Sequence, residues 1–263
     1  MLESLFIYLL IGAAAGTTAG LLGLGGGAVI VPALYMVFSA QNMPAEMIMH
    51  MAVGTSLATI IFTSLSSIYT HHQKGAVQWP LVAKLLPSLV LGVVAGSLLA
   101  DQLSSDLLRI LFGLFELLVA AQMMFTLIPE AQKKDQRGVV YSVAGGVTGG
   151  VSALMGIGGG SVMVPFLSWC GINMRGAVAT SAACGFPLAL FGALSFIVLG
   201  QGENQNIEWT WGYIYLPALL GILLASIVFA RLGAKLAHRV PLLILRRVFA
   251  GVLLLIAIKM LWG

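Results

Sequence analysis

Charged residues are scarce in this chain. Among 263 residues there are 9 acidic and 13 basic side chains, 8% of the total, against 59% apolar. A soluble domain carries about a quarter charged residues and needs them to cover its surface. Their absence excludes a soluble enzyme, a disordered protein and a nucleic-acid binder. Cysteine is rarer still: Cys170 and Cys184 are the only two, too few for a disulfide framework, and they read as apolar filler. His71-His72 is a loop pair without a third ligand, so no metal site is expected, and nothing calls for a cofactor. What remains, with a mean hydropathy of +1.02, is the composition of an integral membrane protein whose main partner is the lipid bilayer. In such a protein a net charge of +4 records orientation before any polyanion partner, because basic residues collect in cytoplasmic loops.

Glycine is plentiful, and its placement exposes an internal repeat. The stretch GLLGLGGGAVIVPAL from Gly20 to Leu34 returns as ALMGIGGGSVMVPFL from Ala153 to Leu167. Downstream, Val53 to Ala58 (VGTSLA) matches Val178 to Ala183 (VATSAA), and Leu107 to Gly113 echoes Leu245 to Gly251. Trp79 and Pro87 also match Trp209 and Pro217 at the same mutual spacing. The chain therefore divides into one repeat over 1–128, a polar linker over 129–138 (PEAQKKDQRG) and a second repeat over 139–263. Leu5 to Leu10 followed by small residues resembles a signal peptide. It lacks a basic n-region, carries Glu3 and runs into the repeat, so it is expected to stay in the mature protein.

Each repeat holds three apolar runs long enough to cross a bilayer, which takes about 20 helical residues. They are Met47–Tyr69, Trp79–Ala100 and Leu107–Leu127, then Gly176–Leu199, Trp211–Leu232 and Leu242–Trp262. The first run of each repeat does not fit that pattern. As one helix, Leu5 to Ser39 would be about 52 Å long against a hydrocarbon core of about 30 Å. Folded at the glycines into arms Leu5–Gly20 and Ala28–Ser39, it becomes a hairpin that enters and leaves on one face. Each repeat then makes an odd number of crossings and the two copies are inverted. That parity places Lys74, Lys133, Lys134, Arg137, Arg175, Arg231, Lys235, Arg239, Arg246 and Arg247 on one side. Only Arg109 and Lys259 fall opposite, with Lys84 inside a span, near its end, where it snorkels. Such a bias is what positive-inside orientation produces. The expected fold is an all-α polytopic membrane protein of two inverted repeats, each a glycine-broken hairpin plus three transmembrane helices. Both termini are expected on the non-cytoplasmic side of a cell membrane, that of a bacterial inner membrane in particular.

Bare backbone at membrane depth must be buried in protein or line a wet cavity. Glycines let a backbone approach a ligand closely, and a fresh helix after them presents amides with a partial positive charge. Gly25, Gly26 and Gly27 in the first repeat and Gly158, Gly159 and Gly160 in the second are thus candidate anion-binding residues. Close packing of small residues explains the same glycines without a ligand. Thr55-Ser56 and Thr180-Ser181 recur one helix later, with hydroxyls able to complete an anion's hydrogen-bond shell or to bond a carbonyl within their own helix. Ser161 follows the second turn, and Thr17, Thr18, Thr148 and Ser152 are weaker candidates of the same kind. A phosphate-binding P-loop is excluded, since no Lys-Ser/Thr follows the glycines. Glu116, in the middle of a span and matched by Leu254 in the other repeat, is a candidate proton carrier or a neutral structural carboxyl. His50 and Arg175 occupy matching places ahead of the Thr-Ser pairs. Arg175 reads as an anion attractor or as an orientation charge.

The paired GLGGG and GIGGG segments with their Val-Pro, and the Thr-Ser a helix later, resemble the sulfite exporter TauE/SafE family of membrane permeases. The resemblance covers essentially the whole chain. It implies export or uptake of small sulfur-containing anions such as sulfite, sulfoacetate or related organosulfonates, and export is the direction expected here. A small anionic substrate is therefore the expected soluble partner, carried by movement of one repeat against the other around the glycine turns. A passive anion or small-solute channel is the alternative, although the aquaporin Asn-Pro-Ala pair is absent. An intramembrane enzyme ranks third, since no nucleophile and base stand together in the sequence.

Overall fold

The computed structural model describes residues 2–22, 26–125, 138–202, 207–237 and 242–262. Its helices are α1 (Leu2–Leu22), α2 (Gly27–Ala40), α3 (Ile48–Gln73), α4 (Trp79–Gln102), α5 (Ser105–Phe125), α6 (Gly138–Met155), α7 (Gly160–Trp169), α8 (Met174–Leu199), α9 (Leu216–Ala237) and α10 (Leu242–Trp262). The strands β1 (Thr210–Trp211) and β2 (Ile214–Tyr215) form a short antiparallel hairpin before α9. The expected linker lies outside the described residues except for Gly138, which opens α6. Five of the helices, α3, α4, α5, α6 and α8, are long and apolar enough to cross a membrane among the described residues. The fold is an all-α polytopic membrane protein.

Helix order repeats after α5, so α1 to α5 correspond to α6 to α10. In each half the first two helices are arms of a hairpin broken at the glycines. Tyr8 on α1 and Gln41 at the end of α2 hydrogen-bond each other at 3.2–3.3 Å, so the second arm returns to the end where the first began. In the second half the rings of Tyr141 on α6 and Phe166 on α7 stand edge-on at 6.0 Å, tying those arms together likewise. The short arms, 14 residues in α2 and 10 in α7, measure about 21 and 15 Å at 1.5 Å per residue. Neither spans a bilayer core of about 30 Å.

The two halves exchange helices. In membranes, small residues drive this kind of packing, because lipid gives apolar side chains no reason to leave it. A Cβ placed on Gly16 would fall 2.6 Å from the Ser226 carbonyl oxygen, and Gly12 sits equally close to Ile222. Thus α1 lies against α9 with residue numbers rising together, a parallel pair. The same device joins α4 to α6, where Gly96 abuts Gly150 and Gly92 abuts Gly146, again in parallel. By contrast α3 and α8 run antiparallel, with Gly54 against Phe196 and Gly192 against Leu57. The α3 segment from Ile48 to Ile60 is buried throughout and is the centre of the molecule.

One expectation shifts here. The span predicted to begin at Trp211 begins at Leu216, since the β-hairpin occupies the intervening residues. Trp209 and Gly212 have φ of 63° and 55°, which no helix accommodates. Pro217 instead sits in the first turn of α9, as Pro80 does in α4, a position where a missing amide proton costs nothing. Contacts agree with that phase: Gly12 meets Ile222 and Ala225, and its counterpart Gly145 meets Leu85 and Ser88. Pro80 therefore corresponds to Pro217, and the spacing shared by Trp79–Pro87 and Trp209–Pro217 is incidental.

Candidate functional site

The two glycine breaks end alike, at Gly26 and Gly159. Gly26 and Gly159 have φ of 77° and 74°, left-handed values that leave a helix with no side-chain cap as α2 and α7 begin. An L side chain rarely adopts that backbone, so glycine is required for conformation before any ligand is considered. The first intrahelical bonds run from Val29 and Ile30 to the Gly26 carbonyl, and from Val162 and Met163 to that of Gly159. The amides of Gly27 and Ala28, and of Gly160 and Ser161, precede those bonds and are the orphan donors of a helix start.

The breaks also meet. A Cβ on Gly27 would lie 2.9 Å from the Ile157 Cα, and Gly156, with φ of 66°, faces Val31 of α2 and Val53 of α3. Gly158 packs its carbonyl oxygen against Gly185 of α8. Of the predicted glycines, Gly25 lies outside the described residues; Gly27 meets the second turn, Gly158 and Gly159 meet α8, Gly26 packs on Ala15 of α1 and Gly160 is buried at the start of α7.

The hydroxyls divide into two groups. Thr55 accepts a hydrogen bond from the Tyr215 amide at 3.0 Å, and Thr180 accepts one from the Gln78 amide at 3.2 Å. Each donor stands immediately before a helix of the opposite half, α9 and α4, so both threonines serve as helix caps supplied from a distance. Ser56 donates to the Gly156 carbonyl at 2.7 Å and pins the second glycine turn. Thr17 and Thr18 donate to carbonyls one turn back in α1. All of these have architectural partners. Thr148, Ser152 and Ser181 do not: each is buried, and its hydroxyl is unpartnered among the described residues. Thr148 and Ser152 lie one turn apart on α6, their side chains 3.2 and 3.4 Å from where a Cβ of Gly159 would stand. Ser161 is buried beside them, at the start of α7.

The remaining candidates are separate. Glu116 has no solvent exposure, and neither carboxylate oxygen has a hydrogen-bond partner among the described residues. It lies on the buried stripe of α5 with Phe112, Val119 and Ala120, and α5 packs against α10. Arg175 is exposed in the first turn of α8, and Lys84 is exposed on α4. His50 is buried, its Nε2 donating to the Ala100 carbonyl at 3.0 Å. Its ring lies 5.1 Å from that of Tyr213. Sequence reasoning ranked Thr148 and Ser152 below the Thr-Ser pairs. Their signal was present as an i, i+4 pair of hydroxyls where the first repeat has Ala15 and Ala19.

The profile of the sulfite exporter TauE/SafE family matches residues 8–260 of this chain. The chain belongs to that family. It is 38% identical over 261 residues to a probable membrane transporter protein of Haemophilus influenzae, covering 99% of both chains. A probable membrane transporter protein of Methanocaldococcus jannaschii is 29% identical, covering 94% of this chain and 91% of its own. The Bacillus subtilis probable membrane transporter protein YunE is 28% identical, covering 81% and 84%. No solved structure matches the chain. It is a multi-pass membrane transporter protein by family and by fold.

Proposed function

We propose that this TauE/SafE protein exports small sulfur-containing anions, sulfite, sulfoacetate or related organosulfonates, across the cell membrane by alternating access. One observation carries the reading. Two glycine-broken half-helix starts, from the two halves of the chain, meet at the buried centre beside α3 and α8. Broken helices whose positive ends converge at mid-depth are how secondary transporters hold anionic groups. The family's description supports the sulfur chemistry.

The halves are read as inverted repeats, with both termini on the non-cytoplasmic side. Support comes from the antiparallel run of the corresponding helices α3 and α8. It also comes from Arg109, near the start of α5, donating to the Met260 carbonyl at the end of α10. Helices related by an axis in the membrane plane run oppositely; those related by an axis along the normal run the same way. Motion of one half against the other would expose the centre to each side in turn. Glu116 is the proposed proton carrier, because an ionisable group sealed at membrane depth is costly and functional by default.

Flux of sulfite and of organosulfonates in proteoliposomes, with and without an imposed pH gradient, tests this. Saturable flux driven uphill by the gradient is the expected result. Flux that follows the anion gradient without saturating would make the protein a channel.

A further inference from the structure

Gly26 and Gly159 share a left-handed backbone, but the two turns do not share their neighbours. Around the second turn, the Thr148, Ser152 and Ser181 hydroxyls are buried to 1%, 0% and 3% exposure without a hydrogen-bond partner. Buried polar atoms are nearly always paired, so unpaired ones call for an explanation. The Ser152 hydroxyl and the methyl of Thr148, one turn earlier on α6, reach the position of a Gly159 Cβ. Ser181 stands one turn before Gly185, which abuts the Gly158 carbonyl, and two turns before Leu188, which touches Gly159. Residues at such spacing share one face of a helix, so Ser181 looks toward the same turn. The orphan amides of Gly160 and Ser161 open α7 at this point. Around the first turn the counterparts of Thr148, Ser152 and Ser161 are Ala15, Ala19 and Ala28. The counterpart of Ser181 is Ser56, whose hydroxyl is engaged by Gly156. No free hydroxyl faces Gly26 among the described residues.

We infer that the second glycine turn alone seats the anion, and that its seat fits a small oxyanion of single negative charge. The inference rests on the reading of the chain as a carrier of sulfur oxyanions and narrows it to one half of the molecule. The charge limit follows from the donors. The three helices that build the seat, α6, α7 and α8, contain no acidic residue and one basic residue, Arg175, exposed nearly two turns before Ser181. Hydroxyls and amides are neutral, and a helix start contributes about half a positive charge. One negative charge spread over sulfonate or hydrogensulfite oxygens is matched by that set. A second would be buried without compensation, which is costly. At the first turn a Cβ on Gly26 would meet Ala15 of α1, so that turn lends the positive end of its helix and no free hydroxyl among the described residues.

The test uses the purified full-length protein and thermal denaturation in sodium methanesulfonate or sodium sulfate, against sodium chloride at equal ionic strength. Methanesulfonate is expected to raise the melting temperature saturably, and sulfate no more than chloride. Thr148→Val and Ser181→Ala should each weaken the methanesulfonate response about tenfold, the loss of one hydrogen bond to a charged group. Their ligand-free melting temperatures should not fall, because the deleted hydroxyls have no partner. Thr17→Val, in the first half, should leave the response unchanged. Methanesulfonate binding indifferent to Thr148 and Ser181, or sulfate binding equally well, overturns the inference. If the wild-type protein ignores methanesulfonate yet carries sulfite in proteoliposomes, this inference alone fails; if it carries neither, the transport reading fails with it.

Discussion

Ser56 and Gly156 are joined by a 2.7 Å hydrogen bond from hydroxyl to carbonyl across one hundred residues of sequence. The bond ties a helix of the first half to the glycine turn of the second, where backbone has few partners of its own. The hydroxyl of its repeat counterpart, Ser181, has no hydrogen-bond partner among the described residues. Equivalent serines thus carry different loads.

That difference predicts opposite outcomes for one substitution. Ser56→Ala leaves the Gly156 carbonyl without its donor and should cost about 1–3 kcal/mol, the penalty of an unsatisfied buried group. Ser181→Ala removes an unpaired hydroxyl and should leave stability level or slightly higher. Thermal denaturation of the two variants side by side decides it. Equal loss in both would mean that Ser181 has a structural duty after all.

The glycine turns make a second prediction. Val at Gly26 or Gly159 must adopt φ near 75°, an outlier for a branched side chain that costs about 1–3 kcal/mol. At Gly159 its Cβ would also stand 3.0 Å from a Leu188 methyl. Both variants should insert in the membrane, and Gly159→Val should lose anion flux. Gly75 is the control: its φ is 61°, with nothing within 4 Å of an added Cβ. Gly75→Asn, whose side chain tolerates that backbone, should carry anions like the wild type. Normal flux in Gly159→Val would make the second turn a packing element.

Much of this architecture is written locally, and so it was legible. Apolar runs and polar breaks mark α3, α4, α5, α8 and α10 to within a few residues, because bilayer thickness fixes the length of a span. The glycine turns were legible for a related reason: only glycine repeats where the backbone turns left-handed at a helix start. Long-range pairing was not. Nothing near Thr55 or Thr180 announces that each accepts an amide from the opposite half, Tyr215 and Gln78. The start of α9 was misplaced because Trp209 and Pro217 mimic the spacing of Trp79 and Pro87, while positive φ at Trp209 and Gly212 makes a hairpin there. Within the candidate site, the local motif drew attention to Thr-Ser pairs that the fold largely uses up. Two of the three free hydroxyls, Thr148 and Ser152, lie in a small-residue helix that reads as packing.

Topology supplies a third prediction. Asp101, Ser105, His50 and Tyr213 gather at one end of the bundle: Tyr213 donates to Asp101, and Ser105 accepts from the Met49 amide. Gln78 and Gly176 approach each other at the opposite end. With basic loops inside, cysteines introduced at Gln41 and Gln205 should react with an impermeant reagent on intact cells. One at Gln136 should react only after permeabilisation. Labelling of Gln41 and Gln136 from the same side would reject the inverted arrangement.

Glu116 carries the last prediction. It is sealed from solvent on the buried stripe of α5, with both oxygens unpartnered. A structural carboxyl buried for the sake of the fold would be expected to hold hydrogen bonds, since an unsatisfied polar atom weakens the state that buries it. One without partners is better explained by a proton that comes and goes. A proton moving with an anion reduces the net charge carried through low dielectric, where uncompensated charge is expensive. Glu116→Gln keeps the size of the side chain and its capacity to hydrogen-bond but cannot exchange a proton. The variant should bind methanesulfonate as the wild type does, while its flux in proteoliposomes no longer responds to an imposed pH gradient. Glu116→Leu restores the residue of the other repeat, Leu254. It should match or exceed the wild type in thermal stability, because it removes a buried polar group, and should share the insensitivity to pH. A Gln variant whose flux still follows the pH gradient would assign proton movement to another group and leave Glu116 with a structural role.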